Sequence, residues 1–323
     1  MLSQVERAIK EFSLLPKNKV ILAGVSGGPD SLALLFVLYS LRKKLGLKLC
    51  IAHLDHMLRT DSAKDAKFVE QVARKLKLPF ICGSVNLRKI AKKGSLEEKA
   101  RKARLEFLFK AAKKFKTKTI ALGHNLDDQA ETVLMRILRG TGLYGLSAIL
   151  PKRNIRGFEL IRPLIKVRRK EIEAYLKRKK IAPLRDPSNK EDIYFRNRIR
   201  NKLIPFLERE YSANIRELLS NLAESAGQDY DYLTHAADKL RRFSTDRIKL
   251  DAFRRLHPAL QRLILRKAIA RLKGDTRRIT FRHIKEIEDL IAYRPVNSVV
   301  DLPKGVSVTK RAKILSFHHS LRP

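Results

Sequence analysis

The stretch Ser26-Gly27-Gly28-Pro29-Asp30-Ser31 separates two apolar segments of different periodicity. The run before it, residues 20–25, is continuously apolar, as in a buried parallel strand. The residues after it, 32–41, carry leucines at helical spacing. The hexapeptide is therefore predicted to be a strand-to-helix turn, with Ser31 as the N-cap of the helix. Adjacent glycines let backbone amides approach a ligand, and a helix N-terminus attracts negative charge, so the turn predicts a phosphate site.

Two common phosphate-binding motifs do not fit this turn. A Walker A loop needs a lysine after its second glycine, and the G-x-G-x-x-G fingerprint cannot be laid over residues 26–31. A glycine turn capped by a serine is the structural alternative. All six positions fall at a strand–helix junction, which favours phosphate binding over that alternative.

Composition limits the class of protein. The 323 residues are 44% hydrophobic, which suits two or three domains with their own cores. The sequence has no stretch of 18 apolar residues, so no membrane span is predicted. The N-terminus predicts an amphipathic helix rather than a signal peptide, because charged residues interrupt its apolar stripe. Cys50 and Cys82 are too few for a disulfide framework or a metal site, so a reducing cytoplasm is expected.

The charge of the chain is strongly one-sided. Lys and Arg number 71 against 33 for Asp and Glu, a formal net charge of +38. Adaptation to heat would raise the numbers of both positively and negatively charged residues, so the imbalance favours a nucleic-acid partner. The candidate binding stretches are 162–180, 196–202 and 277–294, with solvated helix faces as the alternative.

Strand and helix patterns alternate over the first part of the chain. Further strands are predicted at 48–53, 80–82 and 119–122, and helices at 62–77, 95–115 and 123–139. This alternation predicts an α/β fold with a doubly wound parallel sheet. Ligands bind such sheets at the carboxyl ends of strands. His53, Asp55, Gly123 and His124 fall at those ends, together with the hexapeptide.

The composition changes in the second part of the chain. Helices are predicted at 168–180, 211–243, 258–272 and 280–292, followed by a small hairpin or sheet at 298–302 and 306–308. We therefore expect a catalytic domain at 1–210 and a smaller, helical, basic domain at 211–323. The apolar stripe of 211–243 is long enough either for a homodimer interface or for packing within the chain.

An acidic segment follows the strand at 119–122. Asp127, Asp128 and Glu131 fall at i, i+3 and i, i+4 spacing, which puts the carboxylates on one helix face. Such a group at a strand end can hold Mg²⁺, bind an ammonium group or accept a proton. Ordinary acids at a helix N-terminus are the alternative.

Two further segments are weaker signals. His53 ends a predicted strand beside the hexapeptide, where an adenine would lie, although a histidine there is more often structural. Arg101 and Arg104 lie three residues apart on the helix at 95–115, where a solvated face is the alternative.

Taken together, these segments resemble the tRNA(Ile)-lysidine synthetases, a family of PP-loop ATP pyrophosphatases. The matching segments are SGGPDS at 26–31, HLDHMLR at 53–59, ARKAR at 100–104, GHNLDDQAET at 123–132 and LRGTGLYGL at 138–146. DPSN at 186–189 and RNRIR at 196–200 follow in the family's order. The resemblance is dense over residues 1–210, whereas the remaining residues are similar only in being helical and basic.

The resemblance implies a reaction in two steps. ATP and Mg²⁺ bind, and the C2 oxygen of the wobble cytidine of tRNA(Ile), anticodon CAU, attacks the α-phosphate. Pyrophosphate leaves, and the ε-amine of free L-lysine then displaces AMP from C2 to give lysidine. The excess of positive charge fits a tRNA partner, and no membrane partner is expected.

The resemblance also implies roles for individual residues. Expected ATP-binding residues are Ala23, Ser26, Gly27, Gly28, Pro29, Asp30, Ser31, His53, Met57, Arg101, Gly123 and His124. Expected catalytic residues are Asp30, Arg104, Asp128, Glu131 and Arg196, with Asp30 also bearing on Mg²⁺. Asp127, Asp128 and Glu131 are expected to bind the substrate lysine.

Other functions are compatible with a PP-loop. A tRNA thiolase shares the loop but needs paired cysteines or an Fe–S cluster, and this sequence has no C-x-x-C. A non-catalytic, nucleotide-sensing RNA-binding protein would not need the acids at 127, 128 and 131. Amidating synthetases of GMP or NAD give no reason for so much positive charge.

Overall fold

The computed structural model describes residues 1–15, 19–57, 62–86, 96–184, 194–243, 246–276 and 278–320. The DPSN segment at 186–189 and the end of the HLDHMLR segment lie outside these residues. The chain divides into two compact units, Met1–Thr141 with Gly145–Glu224, and Gly142–Tyr144 with Ser225–Pro323. One helix, Ile215–Lys239, runs across the division, whereas the boundary predicted from composition lies at residue 210.

The first unit is built on a six-stranded sheet. Its strands are β1 Val20–Gly24, β2 Lys48–Asp55, β3 Phe80–Ser84, β4 Thr119–Ala121, β5 Lys152–Ile155 and β6 Phe158–Ile161. The strand order is β3-β2-β1-β4-β6-β5, and every pair is parallel except β5 with β6. The predicted doubly wound parallel sheet is therefore confirmed. The order reverses between β1 and β4, which makes their carboxyl ends the natural ligand crevice.

Helices cover this sheet. They are α1 Leu2–Glu11, α2 Pro29–Leu45, α3 Ser62–Leu76, α4 Leu96–Lys114, α5 Leu126–Ile137 and α7 Arg169–Arg178, whereas the short helix α6 Leu143–Leu146 lies where the chain divides between the two units. Eight residues of α2 are buried, including Leu32, Leu34 and Leu35, and they pack with β1 in the main core. This packing fixes the position of the turn between β1 and α2.

The β5–β6 hairpin was not predicted from the sequence. Each strand has only four residues, and the first three of β5, Lys152, Arg153 and Asn154, are exposed and polar. The turn between them has positive φ angles at Arg156 (53°) and Gly157 (81°), as tight hairpins require. Its consequence is that β6 lies beside β4 and adds a strand end to the crevice.

A helical segment from Phe195 to Glu210 also belongs to the first unit. It consists of α8 Phe195–Arg198, a π-helix Ile199–Leu203 and α9 Ile204–Glu210, and it is followed by α10 Ile215–Lys239. π-Helical turns inside α-helices are rare and are frequently found at functional sites. On α10, Leu219 and Ala223 are buried, whereas Leu218 and Leu222 are exposed. The homodimer proposed from this stripe stays a prediction.

The second unit combines helices with an antiparallel sheet. Its remaining elements are a 3-10 turn Arg241–Phe243, β7 Arg247–Lys249, α11 Leu250–Arg254, α12 Pro258–Lys273, α13 Phe281–Ala292, β8 Val299–Leu302, β9 Val306–Lys310 and β10 Ile314–His319. The sheet order is β7-β10-β9-β8. The small hairpin or sheet predicted from the sequence is thus a four-stranded sheet, whose core includes Val300, Val308 and Phe317.

Within the described residues, no helix is both long enough and apolar enough to cross a bilayer.

Candidate active site

The turn between β1 and α2 is held closed by two serines. The N-cap of α2 is Gly28 and Pro29 is the first helical residue, so the prediction of Ser31 as N-cap is wrong. The fixed φ of proline suits the first helical position and starts the helix earlier. The Ser31 hydroxyl donates to the Gly28 carbonyl (2.9 Å) and accepts from the Ser26 amide (3.1 Å). These bonds order the loop from inside and keep its outer surface for a ligand.

Two glycines of this turn, and Gly123 after β4, differ in what a side chain would contact there. Gly27 has a φ of 89°, and a Cβ there would lie 2.5 Å from Cδ1 of Leu184. A Cβ on Gly123 would lie 2.9 Å from the Asp30 carbonyl carbon, so the segment after β4 touches the backbone of the loop. A Cβ on Gly28 would meet only the Ser26 hydroxyl, at 3.7 Å. The protein itself therefore leaves space beside Gly28.

The acidic segment begins α5 with a capping box. The Asn125 side chain accepts from the Asp128 amide (3.0 Å), and the Asp128 carboxylate accepts from the Asn125 amide (3.1 Å). The same Asn125 side chain donates to Asp30 Oδ1 (2.8 Å). Asn125 thus joins the phosphate loop to the acidic helix, a role that was not predicted from the sequence.

Two arginines from α8 and the π-helix pair with the acids. Arg196 Nε donates to Glu131 (2.7 Å) and its Nη2 to Asp128 (3.0 Å). Arg200 donates to both oxygens of Glu131, at 2.5 and 2.9 Å. Glu131 is fully buried beneath them. The structure therefore brings together the predicted Asp128, Glu131 and Arg196, and it adds Arg200.

Asp127 is engaged on the other side of α5. It accepts from the Arg169 backbone amide (2.7 Å) and from Arg216 Nη1 (2.8 Å). Arg216 also donates to both oxygens of Glu208 (2.8 and 3.1 Å). Asp127 therefore anchors α5 to α7 and α10, behind the two acids that face the arginines.

Asp30 lies between the loop and the acidic cluster. Its pKa is raised from 3.8 to about 6, mainly by burial and also by the nearby Asp128 carboxylate, which together outweigh the lowering by Arg169 and Asn125. Arg169 Nη2 lies 3.4 Å from Asp30 and 3.5 Å from Asp128. Two carboxylates that repel each other at a phosphate loop favour a cation there.

Cationic side chains surround His124, just after β4. Burial lowers the pKa of His124 well below 6.5, and Arg162, Arg104, Arg196 and Arg101 lower it further, so the imidazole is neutral at pH 7. Within the described part of the chain, its Nδ1 has no hydrogen-bond partner. So much positive charge around one half-buried ring favours binding of an anion.

Arg162, at the end of β6, belongs to this cationic group and was not predicted as a site residue. It is 3% exposed, and burial followed by Arg101 lowers its pKa from 12.5 to about 10. Its Nη1 donates to the Leu150 carbonyl (2.6 Å). Arg104 is exposed in part, although many protein atoms lie around its guanidinium group. Its pKa is lowered by the resulting desolvation and by the charges of Arg101 and Arg196.

The other residues predicted to bind ATP lie at or near the same edge of the sheet. His53 is buried, with its Nδ1 2.9 Å from the Val25 carbonyl, which follows β1. Ala23 is fully buried within β1, where its side chain belongs to the core. Met57 is 43% exposed and has a φ of 50°. Their contact with a nucleotide stays a prediction.

Two family models match the chain. The PP-loop domain family matches residues 1–207, and the TilS substrate binding domain family matches residues 249–316. A tRNA(Ile)-lysidine synthase of Caldanaerobacter subterraneus subsp. tengcongensis is 38% identical over 319 residues, covering 96% of this chain and 67% of that protein.

The chain belongs to the tRNA(Ile)-lysidine synthase family. The lysidine synthase of Clostridioides difficile is also 38% identical, over 318 residues that cover 95% of this chain and 68% of that protein. The chain thus spans about two thirds of the length of these relatives.

A solved structure shares the PP-loop fold of this lysidine synthase family member. The U34-tRNA thiolase NcsA from Methanococcus maripaludis, solved with its [4Fe-4S] cluster, gives a TM-score of 0.57 at 20% identity. The match covers 69% of this chain and 78% of that one. At this identity the likeness shows the fold alone.

Cysteine chemistry does not link this family member to a thiolase. Burial raises the pKa of both the Cys50 and the Cys82 thiol, so neither is an activated thiolate. Among the described residues, no group of three or more His, Cys, Asp or Glu side chains could hold a metal ion by itself.

Proposed function

We propose that the chain ligates free L-lysine to C2 of the wobble cytidine of tRNA(Ile) with anticodon CAU. ATP is consumed, and AMP and pyrophosphate are released. The observation that carries the proposal is the joining of the phosphate loop to the acidic helix through Asn125, beside arginines on Asp128 and Glu131. This arrangement provides for a triphosphate and an amine in one crevice, as the reaction requires.

In the first step, the loop at 26–31 receives the β- and γ-phosphates of ATP. The C2 oxygen of cytidine forms a bond to the α-phosphorus, and the bond from that phosphorus to the pyrophosphate oxygen breaks. The group of Arg104, Arg162 and Arg196 around His124 stabilises the charge that develops on the phosphates. The cytosine has to leave its stack to reach the crevice, which costs a few kcal/mol.

Mg²⁺ fits the residues around Asp30. Mg²⁺ is commonly bound by one or two carboxylates together with substrate phosphates. Asp30 supplies one such carboxylate, and a cation beside it would relieve its repulsion with the neighbouring Asp128. When bound, the ion would neutralise charge on the phosphates. The role of Asp30 is to hold this position at the start of α2.

In the second step, the lysine ε-amine forms a bond to C2 of the adenylated cytidine. The bond from C2 to the adenylate oxygen breaks, and AMP leaves with that oxygen. Asp128 and Glu131 bind the ammonium group and take up its proton, so the lysine replaces arginine contacts at these carboxylates. Asp127 holds α5 in place during this exchange.

The second unit provides for the tRNA. The TilS substrate binding domain family covers most of it, at residues 249–316. The basic stretch at 277–294 lies in this unit, whereas 162–180 and 196–202 supply the site arginines Arg162, Arg169, Arg196 and Arg200. Each of the three stretches is a candidate for contact with the tRNA backbone.

Product analysis tests this function. The protein is incubated with ATP, labelled lysine and an unmodified tRNA(Ile) transcript with anticodon CAU, and the RNA is digested to nucleosides. Label in lysidine, lost when the wobble cytidine is replaced by uridine, is the expected result. Pyrophosphate release without label in RNA, or labelling independent of the wobble base, would overturn the proposal.

A further inference from the structure

Asp127 lies next to the acids of the proposed reaction, and both of its oxygens bond to neighbouring helices. Its Oδ2 accepts from the Arg169 backbone amide (2.7 Å), in the first turn of α7. Its Oδ1 accepts from Arg216 Nη1 (2.8 Å), in the first turn of α10. Asp127 is only 8% exposed, so water competes little for these bonds. The start of α5 is therefore fixed to the starts of α7 and α10.

Arg216 is itself held in one orientation by a second carboxylate. Its Nε and Nη2 donate to the two oxygens of Glu208 on α9, at 2.8 and 3.1 Å. Two parallel bonds between a guanidinium and a carboxylate fix the plane of the guanidinium group. The remaining nitrogen, Nη1, then has a set direction, and it points to Asp127. A lysine at position 216 would carry the same charge without this geometry.

An adjoining ion pair holds the start of α7 to the same helices. Arg168, the N-cap of α7, donates from Nη2 to Glu217 of α10 (2.8 Å) and lies 3.5 Å from Glu208 of α9. These contacts join α7, α9 and α10 within the first unit. They involve no residue of the loop at 26–31.

The network reaches the reacting acids through Arg169. Asp127 holds the backbone amide of Arg169. The Nη2 atom of Arg169 lies 3.4 Å from Asp30 and 3.5 Å from Asp128 Oδ1. Contacts of this length are at the limit of a hydrogen bond, so a small shift of Arg169 would break them. Because Asp128 Oδ2 accepts from the Asn125 amide, Oδ1 is the oxygen that faces the arginines, and the position of Arg169 affects the charge around it.

The phosphate loop is held by contacts of its own. Its two serines bond within the loop, and Asp30 Oδ1 accepts from the Asn125 side chain (2.8 Å). Loss of Arg216 would leave these bonds in place. The groups that receive ATP and the groups that receive lysine should therefore respond differently to that loss.

We propose that Arg216, oriented by Glu208, is a positioning residue for the attack of lysine. It acts by holding Asp127, which fixes the starts of α5 and α7 and so the surroundings of Asp128 Oδ1. The proposal rests on the proposed function, because that function assigns Asp128 to the lysine amine. A displacement of about 1 Å in such a group can cost about 100-fold in rate.

The two steps of the reaction are measured separately for the full-length wild type and for Arg216→Met. Pyrophosphate released in a single turnover with ATP and tRNA(Ile) transcript, before lysine is added, reports the first step. Incorporation of labelled lysine over a range of lysine concentrations reports the second. We expect kcat/KM for lysine to fall about 10- to 100-fold and pyrophosphate release to stay within about twofold of wild type. Arg216→Lys, which keeps the charge but not the paired bonds to Glu208, should recover only part of the loss.

Two further variants separate positioning from folding. Glu208→Gln keeps the shape of the side chain and should show the same selective loss. The double variant should be no worse than Arg216→Met alone, because both substitutions act through one contact. Arg209→Met is the matched control, since Arg209 is exposed and pairs with Glu210 at the surface of α9. It should have wild-type kinetics in both steps.

Equal losses in both steps, together with a lower unfolding temperature, would overturn the proposal and leave Arg216 a purely structural role. Wild-type lysine kinetics in Arg216→Met would also overturn it. If that variant does not fold, Glu208→Gln decides by the same criteria. An active wild type with unaffected variants refutes only the positioning role, whereas a wild type that forms no lysidine refutes the proposed function and this proposal with it.

Discussion

At the scale of single residues, the site is a balance of four carboxylates and four arginines. Asp30, Asp127, Asp128 and Glu131 each contact a guanidinium or backbone group of Arg169, Arg196, Arg200 or Arg216. Glu131 is fully buried, and it is favourable there only because two arginines pair with it. A lysine ammonium group entering this cluster would replace a cation and would not add an uncompensated charge.

The first prediction concerns Asp128. Asp128→Asn keeps the shape of the side chain but removes the charge that binds and deprotonates the lysine. We expect lysidine formation to fall by about 10²- to 10⁴-fold, the range for a lost proton acceptor, while tRNA affinity is retained. Glu173→Gln, an exposed position on α7, is the matched control and should have wild-type activity. Full activity of Asp128→Asn would remove Asp128 from the mechanism.

The second prediction concerns the raised pKa of Asp30. This pKa is about 6 in the folded protein, against an ordinary value of 3.8 that applies in the unfolded chain. Between these pH values the folded state therefore binds the proton more tightly. The free energy of unfolding should therefore fall by at most about 3 kcal/mol as the pH rises from about 4 to 6. Above that range it should change little.

Asp30→Asn should abolish this fall. The variant is expected to be more stable than wild type at pH 7, equally stable near pH 4, and deficient in lysidine formation. Denaturant unfolding of both proteins at several pH values measures the difference. An Asn variant that is less stable at every pH would show that Asp30 is stabilising as an anion.

Sequence patterns revealed local groups of residues but not their distant partners. Asp127, Asp128 and Glu131 could be predicted because helical spacing places them on neighbouring turns of one helix. Arg162, Arg169 and Arg216 could not, since their place in the site depends on how β6, α7 and α10 pack. Asn125 had a local signal, its position before a helix, but its bond to Asp30 spans 95 residues.

At the scale of elements, the crevice depends on two turns that touch. The segment after β4 packs directly on the backbone at the start of α2, through Gly123 and Asp30. The parallel strands and most helices were predictable from continuous or periodic apolar runs. The β5–β6 hairpin and strands β7 and β10 were not predictable. Strands β5, β6 and β7 are short, and β5 and β7 are also polar. Strand β10 is defined by its pairing with β7 and β9.

The third prediction compares two glycines of these turns. Gly123→Ala puts a methyl group within 2.9 Å of Asp30 backbone atoms, which cannot move without shifting the loop. We expect it to lower the free energy of unfolding by about 1–3 kcal/mol and to weaken ATP binding. Gly28→Ala meets only ordinary contact at 3.7 Å and should leave stability within about 0.5 kcal/mol of wild type.

Gly28→Ala should nevertheless weaken nucleotide binding, because its methyl group occupies space that the protein leaves open. Thermal unfolding and ATP titration of both variants measure the two effects separately. Wild-type ATP affinity in Gly28→Ala would mean that phosphate does not approach the loop at this residue.

At the scale of the whole molecule, charge is the dominant property. A net charge of +38 was evident from composition, and it predicted a polyanionic partner before any site was defined. What composition could not give is the division of labour. Four arginines of the first unit, Arg169, Arg196, Arg200 and Arg216, pair with site carboxylates, so not all of the positive charge remains available for RNA.

The fourth prediction is a steep salt dependence of tRNA binding. If the two units together neutralise six to ten phosphates, affinity should fall by about 10³- to 10⁵-fold between 50 and 200 mM salt. The affinity of the same protein for uncharged nucleosides should change little. Filter binding over a salt series measures the slope. A slope near zero would contradict a backbone-tracking interface.

The most direct test of the account follows one oxygen atom. A tRNA(Ile) transcript carrying ¹⁸O at C2 of the wobble cytidine is converted with ATP and lysine, and the released AMP is analysed by mass spectrometry. The account predicts that AMP gains one ¹⁸O, because the cytidine oxygen attacks the α-phosphate and leaves with it. AMP without ¹⁸O, while lysidine still forms, would contradict adenylation of the base.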